Sequence, residues 1–184
     1  MSFIELFIFS LLPSISNKNL KKLKKVLIYE TCKKGELLQS EENFYILKSG
    51  VIKSTIKLPH SHKQKTNFYI SESKSTIINN VVNIPASKNS FLSLTDTEFY
   101  KCNFKDFYEL VKNEFEISKL HNNLLEQQAI MNEKRIDDLM ELNTKERYLK
   151  LLKEIPYIEK LIPKYQIANY LNISSVQLTR IRKT

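Results

Sequence analysis

Hydrophobic and polar positions change their period twice along this chain. The first twelve residues, MSFIELFIFSLL, are almost continuously apolar and predict a short helix packed on a domain. The run has no basic residue before it, contains Glu5 and reaches Pro13 without a small-residue cleavage site, so it does not read as a signal peptide. It is also shorter than the roughly 20 residues that a membrane span needs. In the next stretch, NKNLKKLKKVL, Leu20, Leu23 and Leu27 fall on one face and Lys21, Lys22, Lys24 and Lys25 on the other. That pattern predicts an amphipathic helix with Asn17 or Asn19 as its cap. Its basic face reads as solvated, with attachment to a membrane surface as the rival reading.

Between Ile28 and Cys102 the period shortens. Runs of Ile, Val, Tyr, Phe and Thr alternate with Ser, Asn, Lys and Pro, predicting strands over 27–32, 36–39, 44–49, 51–58, 66–71, 75–83, 90–94 and 97–102. Short strands at this spacing predict an antiparallel sandwich, barrel or jelly roll, of which a jelly-roll-like β-barrel is the fold expected here. Gly35 in KKGELL and Gly50 in KSGVIK stand where two turns need a positive φ.

From Asn103 the period becomes helical. Phe104 to Val111 predicts a short helix, and Asn113 to Leu142 runs for 30 residues without Gly or Pro. A helix of that length exceeds what one small domain packs. Its stripe therefore predicts a dimer interface on Ile117, Leu120, Leu124, Met131 and Leu139. Gln127, Gln128, Lys134 and Arg135 interrupt the stripe, which argues against a strict coiled coil. Another helix starts after Asn143, with Thr144 as cap, and Pro156 and Pro163 punctuate the chain beyond it.

Residues 163–182 carry the most specific pattern, a helix-turn-helix. Pro163 suits the first turn of a helix, and Ala168 is small where two helices must approach. Asn172 falls at the turn position that needs a left-handed residue. Ile167, Leu171, Ile173, Leu178 and Ile181 fall on the inward positions. Ser174 and Gln177 form a capping box for the second helix. In the DNA-binding reading that helix enters a major groove, with Ser175, Val176, Gln177, Thr179 and Arg180 as outward candidates. Arg180 suits guanine and Gln177 adenine, although Gln177 is also claimed by the cap. Val176 fits a thymine methyl or local packing. Lys164, Ser174, Thr179, Arg182 and Lys183 suit phosphates. An ordinary helical hairpin is the rival.

Charge and composition narrow the function. The chain of 184 residues carries a net charge of +9. Residues 1–102 are net +7, residues 103–142 net −4 and residues 143–184 net +6. An acidic middle thus separates two basic ends, and the excess favours a polyanion partner. Two glycines, far apart, exclude a Rossmann turn, a P-loop and a kinase-type phosphate loop. Cys32 and Cys102 make no disulfide scaffold and read as buried structural residues. His60 and His62 read as part of a surface loop, and His121 as an interface or solvent residue on the long helix. No catalytic constellation and no metal spacing is present, so no enzyme is expected.

KKGELL with FYILKSGVIKSTI, ERYLKLL followed three residues later by Pro156, and IANYLNIS with LTRIRK together resemble the Crp/Fnr family of bacterial transcription regulators. The likeness covers nearly the whole chain and is strongest to the short members typical of Bacteroidetes. It implies an α+β fold in three parts. A cyclic-nucleotide-binding-like β-barrel domain with N-terminal helices spans 1–112, a dimerisation helix 113–142 and an all-α helix-turn-helix domain 143–184.

This sequence also departs from that family. Members that bind cyclic nucleotide carry a Gly-Glu pair and an Arg-Ser or Arg-Thr pair. The corresponding stretch, about residues 68–92, has neither Gly nor Arg. Glu72 stands for the ribose-binding acid, while Lys74 and Lys88 lack the bidentate fork of arginine. Two cysteines are too few for the iron–sulfur cluster of the oxygen-sensing branch. Many relatives have Glu where Val176 stands, whereas Arg180 matches. The chain stops at Thr184, so no wing is expected after the second helix.

The expectation is a cytoplasmic homodimer that binds a pseudo-palindromic operator in double-stranded DNA, uses no cofactor and is not controlled by cyclic nucleotide. RNA polymerase is a further candidate partner, the effector is unassigned and no membrane role is expected. The alternative is a dimeric small-molecule sensor or interaction module with a vestigial helix-turn-helix.

Overall fold

The computed structural model describes residues 1–38, 43–57, 64–70 and 90–183. The expected strand over 75–83 lies outside them, as do His60, His62, Glu72, Lys74 and Lys88. Two helices open the chain. In α1 (Phe3–Leu11), the Ser2 amide donates to Glu5 Oε2 at 2.8 Å, closing a capping box. In α2 (Asn17–Val26) the cap is Ser16, neither Asn17 nor Asn19. Asn19 is turned inward instead and donates through Nδ2 to Glu116 at 2.8 Å. The basic face of α2 is partly used within the chain: Lys22 pairs with Glu114, and Lys24 with Glu5 at 2.6 Å.

Seven strands follow among the described residues: β1 (Ile28–Cys32), β2 (Leu37–Leu38), β3 (Asn43–Ser49), β4 (Val51–Lys57), β5 (Gln64–Ile70), β6 (Ser90–Ser93) and β7 (Thr97–Asn103). They form two antiparallel sheets, β1-β7-β3 and β2-β6-β4-β5, which face each other without closing into a barrel. Alternation along each strand sends one set of side chains between the sheets. Tyr45, Leu47, Ile52, Phe91 and Phe99 make that inner core, with the Tyr45 and Phe99 rings packed edge to face at 5.3 Å. The tight link from β3 to β4 passes through Gly50 at φ +97°.

The other set of strand side chains points outward, and helices cover it. Phe44, Ile46 and Cys102 on the first sheet pack against α1, α2, α3 (Phe104–Asn113) and the start of α4 (Phe115–Glu141). Val51, Phe68, Ile70, Leu92 and Leu94 at the second sheet pack against the C-terminal helices α5 (Thr144–Glu154), α6 (Ile158–Leu161), α7 (Lys164–Leu171) and α8 (Ser175–Ile181). Asn143 caps α5, not Thr144, because its Oδ1 accepts the amides of Lys145 and Glu146 while Glu146 closes the box.

The long helix α4 uses its apolar stripe differently from the expectation. Ile117, Leu120 and Leu124 are buried in this chain's own first core, so they are not free to face a partner. At 100° per residue, the exposed apolar positions Leu125, Ile136 and Met140 fall on a different face, with Leu139 beside it. The α3–α4 corner is held by Glu116, whose Oε2 accepts the Ser16 amide at 2.9 Å, the Ser16 hydroxyl at 2.7 Å and Asn19. His121, expected at an interface or in solvent, is instead half-buried between the Phe107 and Tyr108 rings, and that desolvation lowers its pKa. No helix among the described residues is long and apolar enough to cross a membrane.

Two stability measurements test this account. A Cβ on Gly50 would stand 2.5 Å from Thr97 Cγ2 and 2.7 Å from the Asp96 carbonyl. Gly50→Ala is therefore expected to lower stability in urea melts by about 3 kcal/mol. Gly35→Ala, where a Cβ meets open space, should lose only about 1–2 kcal/mol from the backbone conformation. The Glu116 carboxyl is held below its ordinary pKa of 4.5, first by the Ser16 hydroxyl, then by the Ser16 amide and Asn19. A depressed folded-state pKa stabilises above the unfolded value and is lost as pH falls through the folded one. Glu116→Gln should accordingly flatten the fall in stability below about pH 4.5, read from melts across that range.

Candidate nucleic-acid interface

The C-terminal helices are organised by three local devices. Pro163, with φ −61°, takes the N-cap position of α7, one residue before the expected first turn. At the other end of α7, Asn172 adopts φ 57° and ψ 46°, the left-handed conformation. It ends the helix, with the Ile173 amide donating back to the Ala168 carbonyl at 3.0 Å. Ser174 then starts α8: its Oγ accepts the Gln177 amide at 3.1 Å, and Gln177 Oε1 accepts the Ser174 amide at 2.9 Å.

Ala168 is buried where α7 meets α8, and Ile167, Leu171 and Leu178 are fully enclosed with Leu151 and Ile158. This fixes the phase of α8. Leu178 points in, while Ser175, Val176, Gln177, Thr179 and Arg180 lie on the exposed side. Val176 is 63% exposed, so it does not pack locally. The Thr179 hydroxyl is tied to the Ser175 carbonyl at 2.9 Å. Among the described residues Arg180 has no ion-pair or hydrogen-bond partner for its side chain. Lys164 and Lys183 are exposed at the margins. Arg182 is placed differently: its guanidinium grips Glu159 through contacts of 2.7 and 3.0 Å, and Glu159 also accepts the Tyr148 hydroxyl at 2.5 Å. Arg182 thus ties the end of α8 to α6. From Lys160 to Lys183 the chain carries no acidic residue, so the potential over this face is positive.

A second set of contacts seats α7 on the second sheet. Tyr170 packs on Phe68 of β5 with ring centroids 4.8 Å apart. Arg135 of α4 lies over the Tyr170 ring, 4.0 Å from its centroid, and the guanidinium donates to the Tyr170 carbonyl. Lys53 of β4 is buried, which lowers its pKa, and donates to Gln166 Oε1 at 2.9 Å. The sequence pattern does not single out these residues. Their partners lie 35 to 113 positions away and leave no local signal.

Elsewhere the candidate chemistry is structural. Cys32 and Cys102 are free and buried, and desolvation pushes the Cys102 thiol up to about 12. No group of metal-ligating side chains occurs among the described residues.

This architecture, two facing antiparallel sheets followed by a long helix and a small helical unit, is the fold of Crp/Fnr regulators and cyclic-nucleotide-binding domains. One similar structure is a protein of Eubacterium rectale described as a transcriptional regulator of the Crp/Fnr family. It is 18% identical, with 96% of this chain and 86% of that chain covered and a TM-score of 0.72. FixK2 from Bradyrhizobium japonicum is 13% identical over 86% of this chain and 83% of its own, with a TM-score of 0.65. The c-di-GMP-responsive global regulator CLP of Xanthomonas campestris is 8% identical, covering 91% of this chain and 90% of its own, with a TM-score of 0.64. No family profile matches the sequence, and no curated protein matches it.

The capping box gives a direct test. Ser174→Ala is expected to cost about 1 kcal/mol in chemical denaturation, and Ser174→Asp to retain most of the stability.

Proposed function

We propose that the chain is a DNA-binding transcription regulator, acting as a homodimer on a pseudo-palindromic operator. The observation that carries this reading is the α7–α8 hairpin. Its left-handed Asn172 and its Ser174 cap fix α8, leaving an acid-free face of Ser175, Val176, Thr179 and Arg180 exposed. A helix held this way presents its first turn and outward residues to base edges. Arg180 reads guanine through the guanidinium fork, and Val176 meets a thymine methyl. Gln177 has its carbonyl oxygen engaged by the cap, so only its amide nitrogen is offered to a base. Lys164, Lys183 and the Ser174 hydroxyl meet phosphates, while Arg182 positions α8 through Glu159. Helix α4 supplies the homodimer contact through Leu125, Ile136 and Met140, with Leu139 at the margin; Met131, expected at that interface, falls on the face of Leu124 instead. Cyclic nucleotide is not the controlling ligand, since residues 68–92 contain no arginine to hold a phosphate.

Selection of bound fragments from genomic DNA by the purified chain tests the reading. It is expected to return two half-sites about one helical turn apart. Arg180→Ala is expected to relax one base pair of each half-site by about 1–3 kcal/mol in quantitative footprinting. Recovery of no preferred sequence by the native chain would overturn the assignment.

A further inference from the structure

A cavity of about 310 Å³ lies where the second sheet, the long helix and the C-terminal helices meet. That volume is in the range of small-molecule sites. It is a junction between the parts of the molecule rather than the space between the two sheets. Strand β5, the second half of α4, the end of α5 and Tyr170 of α7 all contribute walls. Phe68 and Tyr170 make an aromatic side, and Leu124, Met131 and Ile155 add apolar surface.

The polar groups on the wall are not equivalent. Asp138 is already paired with Lys150 at 2.5 Å. Arg135 is half-buried over the Tyr170 ring and has given one donor to the Tyr170 carbonyl. Among the described residues no carboxylate lies within ion-pair distance of it. A guanidinium has five N–H donors in a planar fork shaped for a carboxylate. Lys134 adds a second positive charge beside it. Glu154 is the opposing charge; desolvation raises its pKa, while Lys150 and Arg135 act in the other direction.

We propose that this cavity binds a small planar aromatic carboxylate, with its ring against the aromatic side and its carboxylate on Arg135. Because Tyr170 belongs to the first helix of the DNA-reading unit, the bound acid touches both the sheet and that unit. Occupancy and operator affinity are then thermodynamically linked. This regulatory consequence rests on the DNA-binding reading; the binding site itself does not.

Calorimetric titration of the full chain with salicylate, 4-hydroxybenzoate and indole-3-acetate tests the proposal, each beside its carboxamide. At least one acid is expected to bind saturably, one molecule per chain, and at least tenfold more tightly than its amide. Arg135→Lys keeps the charge, loses the fork and should weaken binding at least tenfold. Met131→Trp fills the cavity from α4 while leaving Arg135 in place, and should abolish binding in a chain whose melting remains cooperative. Absence of saturable binding by all three acids, equal affinity for acids and amides, or undiminished binding by Met131→Trp would each overturn the site. A chain that binds the acid but selects no DNA overturns the DNA reading and leaves the site standing. A chain that selects DNA but binds none of the acids overturns the site alone.

Discussion

Both sheets carry apolar side chains on both faces, and the need to bury the two outer faces decides where every helix goes. On β3, Phe44 and Ile46 alternate with Tyr45 and Leu47, and all four are buried. On β5, Phe68 and Ile70 face the C-terminal helices while Tyr69 packs near Phe91 on the other side. A strand pair with only one apolar face is content with water on the other. These strands are not, so the first sheet takes α1 to α4 as its cover and the second takes α5 to α8.

The second cover has a mechanical consequence. A helical hairpin packed on a sheet through its first helix leaves the outer side of its second at the surface. Here α7 is committed through Tyr170, which meets the Phe68 ring and the Arg135 guanidinium, and through the Lys53–Gln166 contact. The orientation of α8 relative to α4 is therefore set by buried and half-buried contacts. Surface ion pairs contribute little to such a joint, because exposed pairs gain at most about 1 kcal/mol. The inclined Phe68 and Tyr170 rings, the guanidinium and the buried amine carry it.

Most of the local structure was legible because it rests on neighbours in sequence. Strand positions were set by two-residue alternation, and seven of the expected strands match described ones within two residues, with β3 to β4 linked through the predicted Gly50 turn. The α7–α8 hairpin was legible to the individual residue, since Asn172, Ser174 and Gln177 act on groups within four positions of themselves. The errors were local choices settled by distant partners. Asn19 looked like a cap, but Glu116, 97 positions away, claims its side chain. The stripe of Ile117, Leu120 and Leu124 looked like an interface because periodicity reports that a face is buried, not what buries it.

The amino-acid sequence by itself determined the order of elements, the two sheets' alternation and the shape of the terminal hairpin, because each depends on backbone preference and short-range hydrogen bonds. Tertiary structure alone decided three things. It set which face of α4 stays exposed, turned Arg182 from a phosphate candidate into a strut against Glu159, and created the cavity at the junction. Each depends on side chains brought together across 23 or more positions. Such meetings are fixed by how the layers bury their apolar faces, and no local pattern records them.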